Sequence, residues 1–134
     1  MSTALACTMA GASQTWAPAV GEWSRIADTY ESLALTCARS GAEKLALTLE
    51  CRAYDAGFAF RYVFPKQTLG SLEIAKENTE FVFADDHRAW PVYAAQGEYK
   101  PARLSEVKEG AERPLTIEIA DGPTVALGEA GLLT

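Results

Sequence analysis

The residues best suited to acid–base chemistry lie in one short segment, Asp85-Asp86-His87, which holds the single histidine of the chain. An imidazole next to carboxylates can accept or donate a proton near neutral pH. One hypothesis is therefore a small enzyme whose site includes Asp85 and His87. We favour the alternative, an exposed surface loop, because a nucleophilic cysteine would have to reach this segment from a strand of the core.

Other groups that could do chemistry give weaker signals. Glu77 and Glu80 are carboxyl groups of the kind that glycoside hydrolysis uses, but the sequence does not give the distance between them. The glycine-containing stretch at 128–131 lacks the lysine and the helix of a phosphate-binding loop. We therefore predict no catalytic residue in this chain.

The three cysteines are Cys7, Cys37 and Cys51. They show neither a CxxC motif nor a zinc-ligand spacing. Cys37 and Cys51 continue apolar alternations on the two sides of a predicted hairpin, whose turn at 40–41 would pair Cys37 with a residue near Lys44. That register puts the two sulfurs beyond disulfide reach, so we predict buried free thiols.

The elements that must position these groups show a hydrophobic period of two. Successive side chains of a strand point to opposite faces, so each alternating run predicts a strand with one face toward a core. The runs are residues 33–37, 45–52, 58–64, 115–119 and 125–127. Two shorter strands are predicted at 72–74 and 81–83.

Turn residues separate the runs at Ser40-Gly41, Asp55-Ala56-Gly57 and Asp121-Gly122-Pro123. Short strands at this spacing, without long helical patterns between them, predict an all-β fold, an antiparallel β-sandwich of roughly seven to nine strands. A short helix is expected only within 101–112. We divide the chain into an uncharged N-terminal arm or strand at 1–15 and a single β-sandwich domain at 16–134.

The composition is that of a globular protein, with 134 residues of which 49% are hydrophobic and 22% charged. Twelve basic and 18 acidic residues give a net charge of −6. This sign is wrong for neutralising nucleic-acid phosphates or for binding anionic lipid, so we expect no nucleic acid and no membrane as partner. No apolar stretch reaches the ~20 residues of a membrane span.

Several motifs together resemble one known family. Residues 52–65 read RAYDAGFAFRYVFP, which is similar to the RAYDDGVAFRY-type signature in the amino-terminal β domain of glycoside hydrolase family 97. Ala56 stands where that signature has its second aspartate. Further motifs follow the family's order, and the resemblance covers about residues 16–132. These motifs are W-x-P-x-x-G at 16–21, E-x-T-x-F at 77–81, P-x-T at 114–116 and the E-A-x-L type ending at 129–132.

The resemblance implies a fold of super-sandwich type, here as a galactose-mutarotase-like fragment. Members of this family carry their catalytic acid and base in a (β/α)8 barrel that follows the β domain. For residues 1–134 the resemblance therefore implies a non-catalytic module that associates with carbohydrate or with protein. The alternatives are a subunit or fragment of a glycoside hydrolase, or the small enzyme described above.

The resemblance also bears on where the protein works, since it implies a periplasmic or secreted location. Residues 1–21 are uncharged and rich in alanine, as in a signal peptide, but they lack its basic n-region and an unbroken apolar stretch. The sequence therefore leaves a cytoplasmic location open as well.

The resemblance implies one metal ligand. Glu129 matches a family glutamate that reaches from the β domain to a calcium ion in the active site. Calcium takes six to eight oxygen ligands, and this chain offers one identified donor. We therefore expect no resident cofactor, with calcium at Glu129 as the alternative.

Four other residues are candidate ligand contacts. Asp55 and Arg61 either contact a ligand or form a charge pair that holds their hairpin, and we favour the charge pair. Trp90 and Tyr99, together with Trp16, either form an aromatic platform for sugars or pack between the sheets, and we favour packing.

The expected partner is a second copy of the chain. A β domain that lacks its neighbouring layers leaves apolar surface and open strand edges, both of which invite association. We therefore predict a homo-oligomer, most simply a dimer, with a carbohydrate ligand or a separate hydrolase domain as the other candidate partners.

Overall fold

The computed structural model describes residues 2–39, 45–64 and 73–130. Within these ranges the regular structure is almost entirely β, in two four-stranded antiparallel sheets. The predicted all-β class, an antiparallel β-sandwich, is confirmed. The chain divides into two compact units, 1–75 and 76–134, with one sheet in each. The boundary proposed between residues 15 and 16 stays a prediction.

The first sheet is a meander of long strands in the order β1-β2-β3-β4. The uncharged segment forms β1 and pairs with β2 along its length, with one register shift between Ala4 and Ala6. Tyr54 pairs with Gly57 at the end of the β3–β4 hairpin, so the predicted turn at Asp55 is confirmed. The four strands are β1 (Ser2–Trp16), β2 (Ile26–Arg39), β3 (Ala46–Tyr54) and β4 (Gly57–Val63).

The register between β2 and β3 differs from the predicted one. Cys37 lies opposite Leu47, and Cys51 lies opposite Leu33. The predicted turn at 40–41 lies outside the described residues. Because seven residues connect the pair Ala38 and Ala46, a two-residue turn does not set this register.

The pairing gives the first sheet two chemically different faces, because directly opposed residues of neighbouring strands share a face. One of them, called the apolar face below, carries large hydrophobic side chains from all four strands. Its members are Cys7, Met9, Leu33, Leu35, Cys37, Leu47, Leu49, Cys51, Phe58, Phe60 and Tyr62. The opposite face, called the polar face, carries most of the charged groups of these strands, namely Asp28, Glu50, Arg52 and Arg61. Glu31, Ser13 and Thr29 are polar residues that share the apolar face, at its end beyond Leu33.

The apolar face is not fully covered. All three cysteines are free, with Cys7 exposed and Cys37 and Cys51 half-buried. The prediction of free thiols is confirmed, but they are not buried as predicted, because the sheet face on which they lie stays partly open to water.

The second sheet has short strands in the order β6-β5-β7-β8. Its centre is the opposed pair Ala89 and Ile117, both completely buried. The predicted turn at Asp121 is also confirmed: Gly122 donates its N–H to the carbonyl of Ile119 at 3.1 Å. The strands are β5 (Arg88–Trp90), β6 (Ala102–Arg103), β7 (Leu115–Glu118) and β8 (Thr124–Leu127).

A short 3-10 helix at Leu104–Glu106 follows β6, within the range where a short helix was predicted. No described helix is long and apolar enough to cross a membrane. Residues 73–83 have no regular structure, so the predicted strand at 81–83 is wrong, as is the described part of the one at 72–74. Residue 72 lies outside the described residues. An apolar triplet needs a hydrogen-bonded neighbour to be a strand, and no described strand pairs with this one.

Candidate functional site

His87 lies at the start of the second sheet and is buried, with 8% of its surface exposed. The prediction of an exposed loop is wrong at this residue, although it holds for Asp85 and Asp86. The backbone fixes His87 on both sides: its N–H donates to the Asp85 carbonyl at 3.0 Å, and its carbonyl accepts from Leu104 at 2.9 Å. The edge of the ring packs on Phe83, with 6.0 Å between ring centroids.

Asp86 connects this segment to the 3-10 helix. Its carboxylate accepts hydrogen bonds from the backbone N–H of Ser105 at 2.8 Å and from the Ser105 hydroxyl at 2.9 Å. Both bonds lower the pKa of Asp86, and the backbone bond has the larger effect. The nearby positive charge of Arg103 lowers this pKa further. Arg103 donates in turn to the Asp86 carbonyl at 3.0 Å.

A groove of about 680 Å³ opens beside these residues. Asp85, Asp86 and His87 line it together with Arg88 and Arg103. Pro101, Ala102, Ile119 and Ala120 supply an apolar part of the wall, and Glu106 and Glu118 complete its acidic part.

The groove brings the predicted Asp85 and His87 together, but its chemistry is limited. Its lining includes an imidazole and carboxylates that could move a proton, and no cysteine, serine or threonine as nucleophile. Among the described residues, no cluster of three His, Cys, Asp or Glu side chains could hold a metal. The arrangement provides hydrogen-bonding side chains next to an apolar wall, which are features of a binding groove.

The polar face of the first sheet holds a second group of polar side chains. Tyr54 and Gln14 both donate to the carboxylate of Asp28, at 3.1 and 2.9 Å. The Arg52 guanidinium lies 4.2 Å from the ring centroid of Tyr30. The sequence analysis missed this group, although its members occupy the positions that alternate with the apolar residues.

Arg61 also lies on the polar face, directly opposite Glu50, and the two form an ion pair of 2.7 Å. The charge pair that holds this hairpin therefore uses Glu50, not Asp55. Asp55 is exposed in the turn. Ligand contact by Asp55 or Arg61 stays a prediction.

The three aromatic residues of the predicted platform are divided between the two units. Trp16 ends β1 in the first unit, whereas Trp90 in β5 and Tyr99 belong to the second. Trp90 is half-buried, and Tyr99 is exposed. Their role toward sugars stays a prediction.

Comparison with known families gives a match over residues 4–134 to the family described as Glycosyl-hydrolase 97 N-terminal. The chain belongs to this family. The resemblance that the signature at 52–65 indicated is thereby confirmed.

Solved glycoside hydrolase family 97 enzymes from Pseudoalteromonas sp. strain K8 have the same fold. They include a complex with panose and a complex with acarbose. Each is 24% identical to this chain, with a TM-score of 0.81 over 93% of it. The chain spans 20% of the length of these enzymes.

Within this family 97 domain, Glu129 pairs with Arg113. Arg113 and Glu129 each lie two residues outside the pair Leu115 and Leu127, which is the last pair of the β7–β8 register. One carboxylate that is already paired with a guanidinium does not by itself fit a calcium ion, which needs six or more oxygens. The calcium role of Glu129 therefore stays a prediction.

Proposed function

We propose that this chain is a non-catalytic module of a family 97 glycoside hydrolase that acts by protein contact. Its apolar face docks on the remainder of the hydrolase polypeptide. The observation that carries this proposal is the exposure of large side chains on that face: 78% for Met9, 65% for Phe58 and 41% for Tyr62. An apolar sheet face of this kind normally packs against another layer.

The size of the face fits an interface between domains. The eight paired positions of β2 and β3 span about 26 Å, and the four strands span about 14 Å between the outermost axes. The footprint is thus on the order of 400 Å², which matches the largest apolar patches of ordinary monomers. It is about half of what one partner contributes to a standard free interface. A covalently linked or co-folded partner therefore suits it better than a freely diffusing one.

Catalysis is assigned to the partner, because three of the four carboxylates in the groove beside His87 are engaged by Ser105, Arg103 and Arg88. Only Asp85 is left, whereas glycoside hydrolysis uses a pair of carboxyl groups. The enzymes of similar fold are solved with panose and with acarbose. We propose oligosaccharides of that class as substrates of the hydrolase that this module serves.

The test is co-production of the chain with the catalytic barrel of a family 97 enzyme that lacks its own amino-terminal domain. We expect a 1:1 complex by size exclusion with light scattering. Phe58→Ser should weaken it, and Trp23→Ser should not, because Trp23 is equally exposed but lies between β1 and β2. A folded chain that forms no complex, or that is insensitive to Phe58→Ser, would contradict the proposal.

An activity assay distinguishes a non-catalytic module from a small enzyme. The purified chain alone should not hydrolyse aryl α-glucosides or α-galactosides. Turnover that disappears in Asp85→Asn would show that the groove is an active site.

A further inference from the structure

We propose that the groove beside His87 is a binding site for a neutral polyhydroxylated ligand, a sugar unit. This site lies entirely in the unit 76–134 and is independent of the docking role proposed for the first sheet. The juxtaposition of a buried imidazole, free carboxylate and an apolar wall carries the inference.

His87 is the observation that points to a ligand. The residue is more than nine-tenths buried, yet no described residue forms a hydrogen bond with its imidazole nitrogens. No fully buried side-chain nitrogen or oxygen of the described residues lacks a partner. The imidazole nitrogens therefore keep some exposed surface, and His87 is among the residues that line the groove. A polar group in that position favours a molecule that bonds it.

The walls of the groove are held in place before any ligand arrives. Ser105 fixes Asp86, and the backbone N–H of Arg103 donates to the Glu106 carboxylate at 3.0 Å. Phe83 and two backbone hydrogen bonds hold His87. A preorganised site loses little conformational entropy on binding.

The charges of the groove disfavour an anionic ligand. Its lining has four carboxylates against two guanidinium groups, so inorganic anions are repelled. The two guanidinium groups are also partly engaged, since Arg88 Nη1 lies 3.7 Å from Glu118 Oε2 and Arg103 donates to the Asp86 carbonyl. The same excess of carboxylates attracts a small cation, so a cation without hydroxyl groups is the control for charge alone.

A sugar hydroxyl both donates and accepts hydrogen bonds, so it can satisfy the Asp85 carboxylate and the His87 imidazole at once. The C–H face of a sugar ring can lie on the apolar wall of Pro101 and Ile119. These two features together distinguish a polyol from water or from a simple alcohol.

Because the chain has a single histidine, its ring is a unique reporter. Long-range ¹H–¹⁵N spectra of the His87 imidazole should shift and saturate during titration with D-glucose or D-galactose. A dissociation constant in the millimolar range is expected for one sugar unit. At constant ionic strength and pH, inorganic phosphate as the anion probe should leave the ring unchanged. Methylammonium as the cation probe has no hydroxyl group and should shift the ring less than either sugar.

Asp85→Asn is the informative variant, because the side chain is exposed and its loss should not disturb folding. It should weaken sugar binding about tenfold, the effect of one charge-assisted hydrogen bond. Glu109→Gln, a matched loss of a carboxylate outside the groove, should not change it. Absence of any sugar response, preference for either ionic probe, or equal binding by Asp85→Asn would overturn the proposal. None of these outcomes depends on whether the first sheet docks on a hydrolase.

Discussion

The two sheets differ in how their strand length relates to the burial of their apolar side chains. The first has long strands of up to 15 residues, but no described side chain of residues 6–64 is fully buried. The second has strands of two to four residues, yet it contains the completely buried pair Ala89 and Ile117. Extensive backbone pairing therefore does not by itself make a core. Burial needs a second layer, and the first sheet retains a face on which such a layer can pack.

The largest expected effect tests this contrast directly. Ile117→Ala should destabilise the second unit by about 2–5 kcal/mol, because it leaves a cavity at a completely buried position. Leu35→Ala on the half-buried apolar face should cost distinctly less. Urea unfolding followed by near-ultraviolet circular dichroism measures both. Equal costs would mean that the apolar face is packed as tightly as the core of the second sheet.

The next effect concerns association. If no hydrolase partner is present, the apolar face and the edge strands β1 and β4 should together bind a second copy, and we predict a dimer. Light scattering after size exclusion at tens of micromolar protein should then give about 29 kDa, twice the monomer mass of 14.4 kDa. Phe58→Ser should shift the mass toward the monomer, whereas Trp23→Ser should not. A value near 14 kDa for the unaltered chain would contradict the dimer.

The alternation of apolar residues predicted the strands well, because a period of two is a local property of the sequence. It predicted β2, β3, β4, β7 and β8 as separate runs. It failed at Phe81-Val82-Phe83, where the same local pattern exists but none of the strands in the described ranges pairs with it. Strand formation depends on a neighbour that the local sequence does not specify.

Register and burial were harder to predict. The two-residue turn after Tyr54 fixes the β3–β4 register, so the pairing of Glu50 with Arg61 could have been read from the sequence. The β2–β3 register could not, because its connection is longer. His87 was misjudged because two aspartates beside a histidine are typical of an exposed loop, whereas the ring packs on Phe83 and the backbone of His87 is bonded to Leu104.

A smaller effect is expected from Asp86. Its hydrogen bonds with Ser105 lower its pKa in the folded state. The charged form of Asp86 therefore stabilises the fold above the ordinary carboxyl pKa, and this stabilisation is lost as the pH falls through the lowered pKa. Asp86→Asn should therefore flatten the dependence of stability on pH in the acid range. Thermal unfolding at pH values from about 3 to 6 measures this. Glu109→Gln should keep the original slope, and an unchanged slope in Asp86→Asn would contradict the assignment.

The smallest effect is expected from calcium. It tests whether Glu129 is a metal ligand or only the ion-pair partner of Arg113. The Glu129 carboxylate is engaged by Arg113, which precedes β7, so calcium would have to displace a guanidinium with only one identified oxygen ligand in place. At a calcium concentration equal to the dissociation constant, binding stabilises the folded state by about 0.4 kcal/mol, which corresponds to a rise in Tm of about 2 °C. We expect no more than this at millimolar calcium. Arg113→Gln is the informative partner variant, since it removes the ion pair but keeps the carboxylate. A large rise in Tm that persists in Arg113→Gln and disappears in Glu129→Gln would show that Glu129 is a calcium ligand in this chain.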